Sequence, residues 1–394
     1  MTFRSMIWPD KQRSIYDINC SNPIEIKWTK NIFLDYKSMS NQYKIIGHKV
    51  LKKVIDSGHD NIKSDTWFLV GVYLMRQSLE LGLKSLICRI EEHKPNVQDC
   101  FTDAKHNLSK LWNCYEKSNE NYLCDEEKQW LEVYLGSLEE VDEKSDMFRF
   151  PFDNGFLEKY RNKFLDNIKI ANNLIYASNL VDKCIECGTA MVGKLYKTFV
   201  PDFFIFANHG IGNCYLWQGV SDSGFHTKVT GYTEVANYLF SEIDDENIAD
   251  YFFPLMFILR NTVELCLKRL FYTEVERGMN HKKFFSKRNS HLIKKDLWLN
   301  VKPIIIEYAN GTEPGDQLNI IENSLTELSD LDKKGDVFRY PTNYSLEYRL
   351  QNQKFDITIV YEFMMACINF LDSCDTMLEV MAEYESEMRS YYAE

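Results

Sequence analysis

The stretch "GVYLMRQSLELGLKSLI" at residues 71–87 is answered, 184 positions on, by "LMFILRNTVELCLKRLF" at residues 255–271. Arg76, Glu80, Leu81, Leu83, Lys84 and Leu86 return as Arg260, Glu264, Leu265, Leu267, Lys268 and Leu270. The same spacing carries Gly47 to Gly231 and Ser57 to Ser241. Further on, "KHNLSKLW" (105–112) is matched by "SHLIKKDLW" (290–298), so that His106 returns as His291. "SLEEVDEKSDMFRFP" (137–151) then meets "ELSDLDKKGDVFRYP" (327–341) at a spacing of 190, pairing Asp142, Phe148, Arg149 and Pro151 with Asp332, Phe338, Arg339 and Pro341. Matched order at near-constant spacing is the mark of a tandem duplication. Its halves are residues 1–195 and 196–394.

Apolar residues at three-to-four spacing predict helices near 41–57, 64–93, 106–118, 124–142 and 155–190. The second half predicts them near 231–243, 247–277, 291–309, 316–331 and 350–390. "NPIEIKW" (22–28) and "FVPDFFIFANHGIGNCYLWQGV" (199–220) are rich in β-branched and aromatic residues and predict short strands or a hairpin before each bundle. The expected fold is mainly α, with two duplicated up-and-down helical bundles related by a pseudo-two-fold and a few short β-strands.

At 394 residues and 45% hydrophobic content, the chain has material for about two cores. A net charge of −12 excludes nucleic-acid binding through a broadly basic surface and leaves room for a local basic site. Eleven cysteines, mostly at helical apolar positions, are expected to be reduced thiols in a cytoplasmic protein. Cys184 and Cys187 form a lone CxxC without a second ligand pair, so no metal and no cofactor is expected. No apolar signal core and no uncharged apolar run of membrane-spanning length is present, so no membrane partner is expected.

Arg76, Glu80 and Lys84 stand at i, i+4 and i+8 on one helix face, as do Arg260, Glu264 and Lys268. Such ladders on a solvated face drift between repeats, as Ser85 and Arg269 have done. A partly buried network that must stay satisfied does not. Arg149 and Arg339, each between aromatics and ahead of a proline, suit bidentate pairing with a carboxylate, Glu80 or Glu264 being the expected clamp partners. The other reading brings Arg76, Lys84, His106 and Arg149 together around an anion such as a phosphate. His106 and His291 are the histidines shared by both halves, and they can move protons near neutral pH.

"RQSLELGLKSLI…KHNLSKLW…FRFPFD" resembles the HEPN superfamily, whose nucleotidyltransferase-partner branch carries Q-x-x-E-x-x-L-K-x-L, then His-x-Leu-x-x-Leu, then R-Y-P-D. Glu80, Lys84, Leu86, His106, Leu108, Leu111, Arg149, Pro151 and Asp153 take those places. Glu264, Lys268, Leu270, His291, Ile293, Arg339, Tyr340 and Pro341 take them in the second half, with Asn343 in place of Asp. The resemblance covers about three quarters of the chain. It implies helical bundles that pair face to face, here as an internal pseudo-dimer, in antiviral or toxin–antitoxin systems, with metal-independent ribonuclease activity in many members. The chain departs from those ribonucleases in lacking an Arg followed by a His with four to six residues between them. "RIEEH" (89–93) and "RGMNH" (277–281) have one residue too few between them, and Glu80 and Glu264 stand where His would be expected.

The resulting expectation is an antiviral or toxin-type effector acting on RNA without metal. His106, His291, Arg149 and Arg339 would be catalytic, Arg76, Lys84, Arg260 and Lys268 would bind substrate, and Glu80 and Glu264 would be structural clamps. The alternatives are a non-catalytic nucleotide- or phosphate-binding module and a structural or protein-interaction component of a defence complex. The partners in view are RNA or a nucleotide, a defence or antitoxin protein, and a second copy through the C-terminal "EYESEMRSYYAE".

Overall fold

The computed structural model describes residues 7–9, 11–19, 22–58, 60–118, 120, 122–189, 200–216, 224–276, 290–309 and 315–393. In chain order the elements are β1 (Pro23–Glu25), α1 (Ile32–Asp56), α2 (Phe68–Ile90), α3 (Lys94–Ala104), α4 (Leu108–Glu116), α5 (Asp125–Asp142), α6 (Asn154–Lys159), β2 (Phe164–Leu165) and α7 (Asn167–Ile185). After them come β3 (Phe206–Ala207), β4 (Cys214–Tyr215), α8 (Phe225–Ser241), α9 (Ile248–Glu276), α10 (Leu299–Tyr308), α11 (Asp316–Leu331), β5 (Lys354–Asp356) and α12 (Ile357–Ala393). One π-helical turn, Lys63–Trp67, leads into α2, and another, Ile293–Trp298, leads into α10. The protein is mostly helical with a few short strands.

The described residues pack as two compact units, each drawing chain from both repeats. The larger comprises residues 26–255 and 337–353, and the smaller comprises 1–25, 256–336 and 354–394. In the larger, α2 is buried from Phe68 to Ile87 on every face. A helix enclosed all round is a core helix, so any charge on it must find its partner inside. α1 packs along α2, with α4 and α7 on its other sides, and β2 lies between β3 and β4 in a small antiparallel sheet. In the smaller unit, β1 pairs antiparallel with β5, Pro23 facing Asp356. α12 is long and apolar enough over Ile357–Tyr392 to cross a membrane by length and composition, and its apolar 18-residue window is 61% buried in the fold.

Several boundaries differ from those read in the sequence. α1 begins at Ile32 because Asn31 caps it, accepting from the Leu34 N–H. α3 occupies a stretch read as loop, since Pro95 sits in the first turn, where it lacks no needed N–H. The helix expected over 155–190 is split into α6 and α7, with Asp166 capping the second and β2 taking the gap. The RGMNH near miss lies outside the described residues.

The repeated glycines mark close approaches in the larger unit. A Cβ on Gly231 of α8 would stand 2.8 Å from the Thr66 carbonyl oxygen, and one on Gly47 of α1 would stand 2.9 Å from Met75 Cγ and 3.0 Å from the Met75 backbone nitrogen. Backbone cannot retreat as a side chain can. Gly231→Ala and Gly47→Ala are therefore each expected to cost about 1–3 kcal/mol, measured as denaturation midpoints by circular dichroism. An unchanged midpoint for Gly231→Ala would mean that this crossing is looser than its geometry.

Candidate functional site

In the larger unit the repeated charges form one closed cluster. Arg76, Glu80 and Lys84 on α2 are 0%, 0% and 2% exposed. Glu80 is the hub, and four donors reach its carboxylate. Arg76 Nη1 donates at 2.5 Å, Lys84 Nζ at 2.7 Å, the Tyr340 hydroxyl at 2.6 Å, and His106 Nδ1 lies 3.1 Å from Oε1. Arg76 extends the cluster by donating from Nη2 to the His106 carbonyl oxygen at 2.6 Å, while its Nε faces Asp142 Oδ2 at 3.3 Å. Asp142 ends α5 and turns the chain after it, its Oδ1 accepting the Asp146 and Met147 N–H groups at 2.8 and 3.0 Å.

The smaller unit contains the same set. Arg260 pairs with Glu264, donates to the His291 carbonyl oxygen at 2.8 Å and faces Asp332 at 3.3 Å. Lys268 and His291 Nδ1 approach Glu264 Oε1 at 2.7 and 2.8 Å. Asp332 accepts the Asp336 N–H at 2.9 Å, as Asp142 does its own. Gly335 turns this loop at φ 74°, and Ser145 turns the equivalent loop at φ 60°. At Gly335 a Cβ would stand 3.1 Å from the Arg260 guanidinium carbon.

The arginines of the Phe-Arg-aromatic-Pro loops do not clamp the hub. Arg149 does not reach Glu80, because Arg76 fills that place from the same helix. Arg149 lies 3.4 Å from Asp146 and over the Phe150 ring. Arg339, 4% exposed, donates to Gln77 Oε1 at 3.2 Å and Ser145 Oγ at 3.1 Å. The neighbouring Tyr340 is the residue of that loop that reaches Glu80. Tyr340, placed from sequence only as the tyrosine of the R-Y-P-D resemblance, and the repeated Asp142/Asp332 pair are the cluster members to which the sequence reading gave no role; Phe150 stands at Tyr340's place in the first repeat.

Burial raises the pKa of Glu80, but Lys84, His106 and Arg76 outweigh it and hold the carboxyl well below its ordinary value. His106 is moved down by burial, with Arg339 and Lys84 adding to that and Glu80 opposing it. Its imidazole is therefore neutral at pH 7. Nδ1 carries the proton toward Glu80, and Nε2 is left as a lone pair. The side chain is 26% exposed, and no hydrogen bond reaches Nε2 among the described residues. The arrangement can thus accept a proton at a fixed imidazole nitrogen. The cations expected to hold substrate are otherwise placed: Arg76, Lys84, Arg260 and Lys268 are at most 5% exposed and bonded to carboxylates. Surface clefts of about 420, 230 and 210 Å³ are lined by other residues. Among the described residues, no group of three His, Cys, Asp or Glu side chains is placed to hold a metal.

No family model, curated protein or solved structure matches the chain.

Glu80→Gln leaves two buried cations short of a counter-charge and is expected to destabilise the fold by about 3–5 kcal/mol, read by denaturant unfolding. Adding Lys84→Met should recover part of the loss. A folded pKa below the ordinary glutamate value of 4.5 gives stability that is complete above that value and fades as pH falls below it. Nitrogen-detected NMR should find His106 titrating below 6.5 from the Nδ1–H tautomer. A midpoint above 6.5 would contradict this charge balance.

Proposed function

We propose that the chain is a HEPN-like component that works by binding a protein partner rather than by cutting RNA. One observation carries this reading: the repeated cations Arg76, Lys84, Arg260 and Lys268 lie inside the fold and are bonded to Glu80 or Glu264. A phosphate could reach them only by displacing a buried carboxylate, at the cost of opening the core. The two clusters are then internal clamps that set the fold. The HEPN-like assignment rests on the ordered motifs, twice over.

A surface suited to a partner is present on α12. Beyond Leu378 none of its described residues is buried. Val380, Tyr384, Tyr391 and Tyr392 are 58%, 55%, 76% and 76% exposed. Met381, Tyr384, Met388 and Tyr391 recur at three-to-four spacing, the stripe a second helix packs against. A helical extension of this length is marginal alone in water.

A second reading keeps RNA as substrate. It is favoured by the His106 lone pair on Nε2, backed by Glu80 as a base is backed by its orienting carboxylate. It requires an anion-stabilising group from outside the buried clusters.

Expression in cells with RNA profiling, with and without phage challenge, separates the two. The partner-binding reading expects no RNA cleavage by the wild type and the same profile for His106→Ala/His291→Ala, whereas a chain ending at Leu378 loses its biological effect. Cleavage abolished by the double histidine variant would overturn it in favour of the second reading.

A further inference from the structure

The two repeats end differently. At the spacing of 190 that relates their last helices, Ile185 at the end of α7 corresponds to Asp375, yet α12 runs on to Ala393. The shared helical pattern is therefore complete well before α12 stops. The added stretch carries Met381, Tyr384, Met388 and Tyr391, which occupy the a and d positions of two heptads. At 3.6 residues per turn, Glu385 borders this stripe on one side and Glu387 on the other, with Glu383 beyond Glu387. Arg389, the one basic residue from 379 onward, lies 3.7 Å from Glu385. Among the described residues no ion pair reaches Glu379, Glu383 or Glu387.

We propose that this stretch of α12 docks a basic amphipathic helix of another protein. The partner helix lays its apolar stripe along the methionines and tyrosines, and its lysines or arginines meet Glu385 and Glu387 at the edges. The exposed rings of Tyr384 and Tyr391 receive the same cations, because an aromatic face attracts positive charge.

Charge decides against the other occupants. A second copy of the tail brings its own Glu379, Glu383, Glu385 and Glu387, with one arginine, to a face that is already acidic. An anionic lipid surface is repelled by the same carboxylates. Docking of this kind rests on the partner-binding reading of function and gives that partner its chemistry.

The test titrates the full chain into two fluorescent synthetic helices of equal length. Both carry leucine at a and d; one carries lysine and the other glutamate at e and g. The expected result is saturable binding of the lysine helix that weakens as salt rises, and no binding of the glutamate helix. Glu385→Lys/Glu387→Lys should exchange the preference. Tyr384→Ser/Met388→Ser should weaken lysine-helix binding by about tenfold or more without moving the denaturation midpoint. Equal binding of the lysine helix by a chain ending at Leu378 would overturn the proposal, as would no binding by the wild type. So would a dimer in sedimentation that Tyr384→Ser/Met388→Ser disperses, or capture of phosphatidylserine vesicles by the tail. RNA cleavage abolished by His106→Ala/His291→Ala, with the lysine helix still bound, would sink the reading of function alone. Neither cleavage nor binding would sink the docking site alone.

Discussion

A carboxylate buried in a protein core is tolerated only when donors replace its water, and Glu80 is such a carboxylate. α2 is enclosed along most of its length, so Glu80 has no route to solvent. Its own helix supplies Arg76 one turn before and Lys84 one turn after, and the α3–α4 turn and the 337–342 loop supply the other two donors. Each donor arrives from a segment that must be in place for the charge to be stable. The position of the α3–α4 turn, the end of α5 and the Phe-Arg-Tyr-Pro loop all follow from that requirement. Glu264 imposes it again in the smaller unit through Arg260, Lys268 and His291.

The Phe-Arg-aromatic-Pro loops are held by their backbone as much as by their arginines. The Tyr43 hydroxyl donates to the Phe338 carbonyl oxygen at 3.0 Å. Tyr232 and Lys228 both donate to the Phe148 carbonyl oxygen at 3.2 Å. Lys228 has no carboxylate hydrogen-bonded to it among the described residues, and burial brings its pKa down to about 7. The aromatic side chains fill the core, the carbonyls anchor to helix side chains, and the aspartate before each loop gathers its N–H groups. The loop geometry is therefore determined before the arginine side chain is considered.

This inward use of charge shapes what chemistry remains outside. With the repeated cations engaged by carboxylates, the group of the repeated set that still faces outward in the first repeat is the His106 imidazole edge. It sits on the α3–α4 turn, which the hub holds through the His106 backbone and ring together. Anything that stiffens the turn acts on the imidazole, because the Arg76 bond to the His106 carbonyl ties the turn to α2.

The sequence repeat, the helical class and the Arg, Glu, Lys and His of the charged cluster were legible in the sequence, whereas Arg149 and Arg339 were expected in it and are not. Repeated Arg, Glu and Lys at one spacing, with His one residue off it, need no coordinates to be seen, and a polar set that survives while its neighbours drift is under physical constraint. Pairing within the cluster was not legible. Arg76 and Arg149 are both arginines within reach of a glutamate on paper. Helical geometry sets Arg76 one turn from Glu80, while the loop carries Arg149 toward Asp146, and that choice exists only once the chain is folded. Tyr340 entered the first repeat's cluster from 260 residues away, and the local motif that marks it says nothing of its partner. Sequence alone determined which residues are bound by a shared constraint, because a buried charge tolerates no substitution that leaves it unpaired. Tertiary structure decided who pairs with whom and which nitrogen faces water, because those depend on distances between segments far apart in the chain.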